Sequence, residues 1–473
     1  MATVLGSYEF HDWSLLEGFD AHVQEVFRLI SRHGIDQVGA GDPADPVYFA
    51  AFLAAVHEGW RKAQLEIIAG LLSIERYAAQ LEQARKKGSK KEREEARAQQ
   101  KSLQHKEAIV RRLADAIAWQ MIDHALWFAR RINTDDPPPS ISSSNLETHL
   151  AAANHLMQDS PTTFALLTDL TSFIRLGDLL VVSHPGKERQ CQIVEIKEGT
   201  VNEELLPMAQ HLVATRCPHL VPAVESARGK GMAAQLERMA RQIEKLGRVD
   251  SLVRNSVGID AHGDRVVLSE ETIALASYAD YLSDMINQSS GPGWAIGEVD
   301  QCLYLGAYRG QMREPVAFER WMQGCGIDGP IISLATSFRT TLSTPLFASP
   351  FINEHAVDIA MGRVLVLMCL AVEPFLKLVE AHGIKHKWLS RGETADVQRR
   401  WDRQMFEWKG RAIELEFGSE RSIIGNALLG RIFYEFTTPQ AAIELLGSNL
   451  AMSPERRARA IEAGLVPPEP SGT

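Results

Sequence analysis

Cysteine is scarce in this chain, at five in 473 residues, and no two form a Cys-x-x-Cys pair. Cys191, Cys217, Cys302, Cys325 and Cys369 are scattered, which supports neither a disulfide framework nor a structural zinc finger and fits a reducing compartment. Excess positive charge is missing as well. Fifty Lys and Arg stand against 60 Asp and Glu, a formal net charge of −10, so any contact with nucleic acid has to rely on local basic patches. No apolar run reaches the length of a bilayer. The most apolar stretch, Val364 to Leu370, lies between Arg363 and Glu373 and reads as a buried helix. The first residues lack a basic segment followed by an apolar one, so no signal peptide is expected. No repeat of roughly 20 to 50 residues is visible. These absences lead to the expectation of a cytoplasmic protein with no membrane partner.

Apolar residues make up 45% of the chain, enough for two or three domains with cores of their own. Residues 1–135 read as helical. Asp45-Pro46 offers a cap followed by a proline in the first turn, and Phe49, Phe52, Leu53, Val56, Trp60, Leu65, Ile68, Leu71 and Leu72 then recur at helical spacing. Between Arg85 and Arg112 lie eleven basic and four acidic residues, interrupted by Gly88-Ser89, after which Ile109, Leu113, Ile117 and Met121 restore an apolar face. This pattern predicts two long helices joined at a polar tip, a hairpin or coiled-coil arm. Its charges read as a solvated face or as a nucleic-acid contact, and the arm is also a candidate surface for a homodimer or a partner protein. Trp119 and Trp127 fall on the apolar face of the second helix, as core residues.

Asp135-Asp136-Pro137-Pro138-Pro139 and the serines that follow mark a linker. A helix is predicted over Leu146 to Met157, then short strands at Phe164 to Leu167, Leu179 to Ser183 and Gln192 to Lys197. Pro185-Gly186-Lys187 turns the last two into antiparallel neighbours. A further helix covers Met232 to Leu246. Residues 140–260 therefore describe an α/β module. Residues 261–466 read as an α-rich, mixed domain of unknown role. Strands are expected at Arg265 to Leu268 and Cys302 to Leu305, and helices over Glu354 to Ala381, Thr394 to Glu414 and after Pro439.

The stretch that carries chemistry runs from Gly177-Asp178 through a turn to Glu195-Ile196-Lys197. Alternation along a strand puts Glu195 and Lys197 on one face, and a charged pair ending an apolar strand is costly to bury without a partner. An antiparallel neighbour beginning at Asp178 can supply a second carboxylate. Two carboxylates and a carbonyl oxygen make a hard site suited to Mg²⁺, where a lysine can orient an attacking water. A second acidic-x-Lys copy, Glu407-Trp408-Lys409, sits in a helical context that would splay its side chains apart.

Asp178, the sixteen residues that follow it, and Glu195-Ile196-Lys197 resemble the PD-(D/E)XK nuclease superfamily. Arg175-Leu176-Gly177 before the motif and Glu198-Gly199 after it are similar to its surroundings in many bacterial members. The resemblance spans residues 140–260. It implies a restriction-endonuclease-like α/β core, a mixed sheet flanked by helices. It assigns Asp178, Glu195 and the Ile196 carbonyl to Mg²⁺, with Mn²⁺ able to substitute, and Lys197 to the nucleophilic water. Some members add an acidic residue from the preceding helix, for which Glu147 is the candidate. RecB-like members carry a glutamine on the following helix, where Gln235 stands.

The function implied is hydrolysis of phosphodiester bonds, in DNA first, by endo- or exonuclease action leaving a 5′-phosphate. The alternative is a catalytically inactive nuclease fold that binds nucleic acid or acts as a scaffold. A nuclease core between large flanking regions is also similar in architecture to bacterial restriction and phage-defence proteins. Arg228, Lys230 and Arg238 are the candidate phosphate contacts around the last helix of the module. Asp169 is weighed as a further ligand against a turn role. His149 and His155, six apart on one helix, do not share a face, and His382 and His386 read as loop residues.

Overall fold

The computed structural model describes residues 3–5, 8–133, 137–158, 160–185, 189–196, 200–255, 257–259, 265–267, 275–310, 314–339, 343–349, 353–400, 405–417 and 420–450. The chain divides into two compact units, Met1–Glu270 and Glu271–Arg459. The helical region and the α/β module, expected to be separate at residues 135–140, belong to the same unit. Among the described residues no helix is long and apolar enough to cross a membrane.

The first unit opens with a small hairpin, β1 (Thr3–Leu5) and β2 (Tyr8–Phe10), and two helices, α1 (Phe19–Ser31) and α2 (His33–Val38). The long helices follow as α3 (Pro46–Lys87) and α4 (Lys90–Met121). Asp45 caps α3 by accepting from the Val47 N–H at 2.9 Å. The hairpin turns at Gly88-Ser89, where Ser89 and Glu92 form a capping box that satisfies two otherwise orphaned N–H groups. Asp123 and His124, both with positive φ, end α4, so Trp127 belongs to a separate short helix, α5 (Leu126–Ile132). Trp119 is fully buried in the core, as expected.

Next come α6 (Leu146–Gln158) and the strands β3 (Thr163–Leu167), β4 (Leu179–Ser183) and β5 (Gln190–Val194). They pair in the order β3-β4-β5, with Leu179 opposite both Leu167 and Val194. Leu179, Leu180, Val181 and Val182 of the middle strand are buried on both faces, which is why they form a continuous apolar run. Helices α7 (Thr200–Thr215), α8 (Leu220–Arg228) and α9 (Lys230–Asn255) share a core of Leu205, Ala209, Val224, Leu236 and Met239. A short pair, β6 (Val257–Ile259) and β7 (Arg265–Val267), completes the unit. The expected mixed sheet differs from what forms: every ladder among the described strands is antiparallel.

The base of the α3/α4 hairpin is not a free arm. Gln64 of α3 donates to Ala165 O at 3.3 Å and accepts from Leu167 N at 2.9 Å, while Trp60 meets Phe164 edge-on. On α4, Arg111 donates to Asp169 O at 2.8 Å and to Pro139 O at 3.0 Å. Asp115, wholly buried, accepts from Ser172 N at 2.7 Å and pairs with buried Arg112 at 3.0 Å. Two of the arm's basic residues, Arg111 and Arg112, are thus interior staples rather than part of a solvated or nucleic-acid-binding face.

The second unit holds α10 (Ala279–Gln288), β8 (Trp294–Val299), β9 (Leu303–Tyr308), α11 (Glu314–Gly324), β10 (Ile331–Ser333), α12 (Asn353–Ala360), β11 (Leu365–Leu370) and α13 (Val372–Ala381). After these come β12 (Lys385–Trp388), α14 (Arg391–Arg400), β13 (Glu407–Trp408), β14 (Arg411–Phe417), β15 (Glu420–Ile423), α15 (Asn426–Tyr434) and α16 (Pro439–Leu450). Two predicted helices are corrected. Gly362, at φ 70°, splits Glu354–Ala381, and its apolar middle becomes β11, buried between β9 and β10. A short apolar run does not distinguish a buried strand from a buried helix by period alone. The helix expected over Thr394–Glu414 stops with α14, and Lys409-Gly410, both at positive φ, turn β13 into β14. Glu407-Trp408-Lys409 is therefore a hairpin, with Lys409 donating to Asp328 at 2.5 Å. His386 lies on β12 beside Glu380, and His382 ends α13.

Two predictions follow from this core. Asp115→Ala strips the buried Arg112 of its counter-ion and Ser172 of its acceptor, and should cost about 3–5 kcal/mol in urea unfolding. A loss below about 1 kcal/mol would contradict the staple. His57, buried on α3 against Phe164, has its pKa pushed down to about 4, chiefly by burial and against the pull of the Pro161 carbonyl. The unfolded chain binds this proton first, so the contribution is complete above pH 6.5 and fades as pH falls from there toward 4. The chain should be about 2 kcal/mol less stable at pH 5 than at pH 7.5 from this group alone, and His57→Gln should remove that part of the slope.

Candidate active site

Asp178 owes its position to the loop before β4. Thr168 Oγ1 donates to Gly177 O at 2.6 Å, and Thr168 N donates to Asp178 O at 3.0 Å. Arg175 turns its guanidinium back onto the carbonyls of Thr171, Ser172 and Ile174, at 3.1, 2.6 and 2.8 Å, and its own N–H reaches Ile132 O. Arg175, part of the stretch before the motif, is thus a loop staple. Gly177 adopts φ 68°, and a Cβ there would sit 2.2 Å from Ile193 Cγ2 and 2.9 Å from Val194 O. The backbone of β5 can come this close only because residue 177 has no side chain.

Beyond the Leu179–Val194 pair the two strands remain tied together. Asp178 N donates to Val194 O at 2.8 Å, and the Asp178 carboxylate accepts from Ile196 N at 2.6 Å. The other carboxylate oxygen of Asp178 lies 3.6 Å from Nε2 of His149, which is buried on α6. His149 Nδ1 faces Asp169 at 3.9 Å, beyond hydrogen-bond reach, and has no hydrogen-bond partner among the described residues. Burial raises the Asp169 carboxyl above its ordinary value, opposed by His149, Arg111 and Arg175. One imidazole therefore sits between two carboxylates.

The same imidazole lines a cavity of about 240 Å³. Asn145 and His149 border it from the start of α6, Glu195 and Ile196 from the end of β5, and Asn202 from α7. Gln235, Arg238 and Gln242 border it from α9. On α9 the spacing of three and four puts those three residues on one face. Gln235 donates to Asn202 at 2.8 Å and accepts from Arg238, so α7 and α9 are linked by side chains at the rim. Except for Ile196, the lining residues are polar or charged, with amide and guanidinium donors facing a carboxylate.

The candidate residues fare differently. Asp178 is tied to Ile196 at one end of the β4–β5 pair, and Glu195, Ile196, Gln235 and Arg238 line the cavity, whereas Asp178 is not among its lining residues. Glu147 is exposed and does not line the cavity, because residues 145 and 149 share the inward face of α6 and residue 147 points away from it. Arg228 is exposed at the end of α8, paired with Glu204 at 2.5 Å, and Lys230 is exposed at the start of α9. Neither lines the cavity. Lys197 lies outside the described residues, as do Gly186 and Lys187 of the expected turn. The sequence reading missed Asn145, His149, Asn202 and Gln242. The α9 spacing signals Gln242, whereas Asn202 sits on a helix that carried no clear sequence pattern.

Comparison with protein-family models, curated proteins and solved structures finds no match to this chain.

Gly177→Ala tests the local geometry. The left-handed backbone and the contact with Ile193 together should cost about 2–4 kcal/mol of unfolding free energy. A change within about 0.5 kcal/mol would mean that the strands do not approach as described.

Proposed function

We propose that this chain is a divalent-metal-dependent nuclease, with its active centre in the polar cavity at the end of β4 and β5 and DNA as its substrate. The observation that carries the proposal is the junction of Asp178 and Glu195. The Ile196 N–H, one residue past Glu195, holds the Asp178 carboxylate, and His149 touches Asp178 while sharing the cavity wall with Glu195.

The donor set fits Mg²⁺. One Asp178 oxygen accepts the Ile196 N–H and the other faces His149, while Glu195, on the cavity wall, supplies a second carboxylate. Hard oxygen donors of this kind suit Mg²⁺, with Mn²⁺ as a substitute. Asp178 and Glu195 would hold the ion, and when bound it would acidify a water and neutralise charge on a phosphoryl oxygen. The bond to Ile196 fixes the rotamer of Asp178. Arg238 offers a planar pair of N–H donors matched to phosphate, held in place by its bond to Gln235. Asn145, Asn202 and Gln242 add neutral polar groups that tolerate a phosphodiester without competing for the ion. Lys197, next in the chain after Ile196, is assigned to the attacking water, whose oxygen bonds to phosphorus as the P–O bond to the leaving alcohol breaks. An acidic protein with this small basic rim suits a substrate delivered locally more than indiscriminate binding along DNA.

The near-isosteric substitutions Asp178→Asn and Glu195→Gln remove charge with little change in volume. Each should lower Mg²⁺-dependent cleavage of a DNA substrate at least about 100-fold, with the circular dichroism spectrum unchanged. Cleavage at the wild-type rate in both variants would overturn the assignment.

A further inference from the structure

A second cluster of ligating side chains lies in the first unit, on residues the nuclease proposal does not use. His11 follows β2, His22 is on α1 and Glu66 is on α3. Their ligating atoms all lie within 4.8 Å of one another, and among the described residues no other group of three His, Cys, Asp or Glu side chains comes as close. His11 Nε2 is 3.4 Å from Glu66 Oε2. The cluster is also braced. The Trp13 indole N–H donates to the same Glu66 oxygen at 3.3 Å, and the Trp13 ring stacks on His22 with centroids 4.8 Å apart and planes within 9°. Trp13 itself is buried and lies against Gly70 of α3, where a Cβ would meet its ring at 3.1 Å.

From this geometry we propose that His11, His22 and Glu66 form a binding site for a first-row transition metal, zinc being the best match. Two imidazoles and a carboxylate suit a borderline ion, whereas Mg²⁺ and Ca²⁺ prefer oxygen donors alone. Tetrahedral bonds of about 2.0–2.1 Å set donor atoms about 3.3 Å apart, which the His11–Glu66 pair already approaches. The remaining closure, from separations of at most 4.8 Å, falls to small side-chain rotations that bring in His22. Three protein ligands leave a fourth position for water. Glu66 is oriented by an outer hydrogen bond from Trp13, the kind of support that fixes a ligand's direction. A bound ion would pin the N-terminal segment and α1 onto α3, the helix whose Gln64 supports the sheet.

The test is calorimetric titration of the full, untagged chain with Zn²⁺ at pH 7.5, followed by Co²⁺ substitution and optical spectroscopy. One equivalent should bind at micromolar or tighter affinity, undiminished by millimolar Mg²⁺, and Co²⁺ should give the visible bands of a four-coordinate site. His11→Ala alters an exposed side chain and should leave the fold intact while weakening Zn²⁺ binding at least tenfold. His22→Ala and Glu66→Gln should do the same, and Asp178→Asn should not. Failure of the wild-type chain to bind Zn²⁺, or equal binding by wild type and His11→Ala, would overturn the site.

Discussion

Asp115 places a carboxylate in the interior of the first unit, and the surrounding structure is organised to satisfy it. An unpaired charge at such a site would be strongly unfavourable, so Arg112, one turn earlier, and the N–H and hydroxyl of Ser172 are drawn to it. With Arg111 bonded to Asp169 O and Pro139 O, α4 fixes both ends of the region that leads into β4. The loop from Thr168 to Asp178 then has little freedom: Arg175 folds over its own carbonyls, and Gly177 lets β5 close against it. The Asp178 carboxylate is then fixed locally, by the Ile196 N–H and beside His149.

The cavity is walled from two sides. The segment just past β5, which ends at Val194 and not at Lys197 as expected, supplies Glu195 and Ile196, and α6 supplies His149. α7 and α9 supply amides and Arg238 from a helical cluster with its own small core. Met239 belongs to that core, fully buried between the cavity-facing Arg238 and Gln242, so it anchors α9 while its neighbours face the cavity. His149 is buried on α6, 3.6 Å from Asp178 and facing Asp169.

Much of the first unit is legible in the sequence because its signals are local. Asp45-Pro46, Gly88-Ser89 and the short apolar runs at residues 164–167 and 179–183 each encode their own element, and the capped helix, hairpin and strands form where they indicate. The placement of Asp178 and Glu195 beside the ends of paired strands is legible for the same reason. What is not legible depends on tertiary context. No pattern shows that Arg111 and Asp115, in a run of surface-like charge, are buried by a loop nearly 60 residues away. The inward face of α6 is settled by packing on β3, which turns His149 rather than Glu147 to the cavity. In the second unit the Val364–Leu370 run is equally compatible with helix and strand until β9 and β10 flank it, and Lys409-Gly410 becomes a turn signal only once β14 is in place to pair. His11, His22 and Glu66 come from three separate elements and share no spacing at all.

The most direct measurement is an anomalous-diffraction structure of the chain crystallised with Mn²⁺ and a short DNA duplex. A two-carboxylate metal centre predicts a Mn²⁺ peak bonded to Asp178 and Glu195, with a phosphate of the backbone beside Arg238. Density in which those two carboxylates face different sides of the sheet, or a cavity free of both ion and phosphate at saturating Mn²⁺, would contradict it.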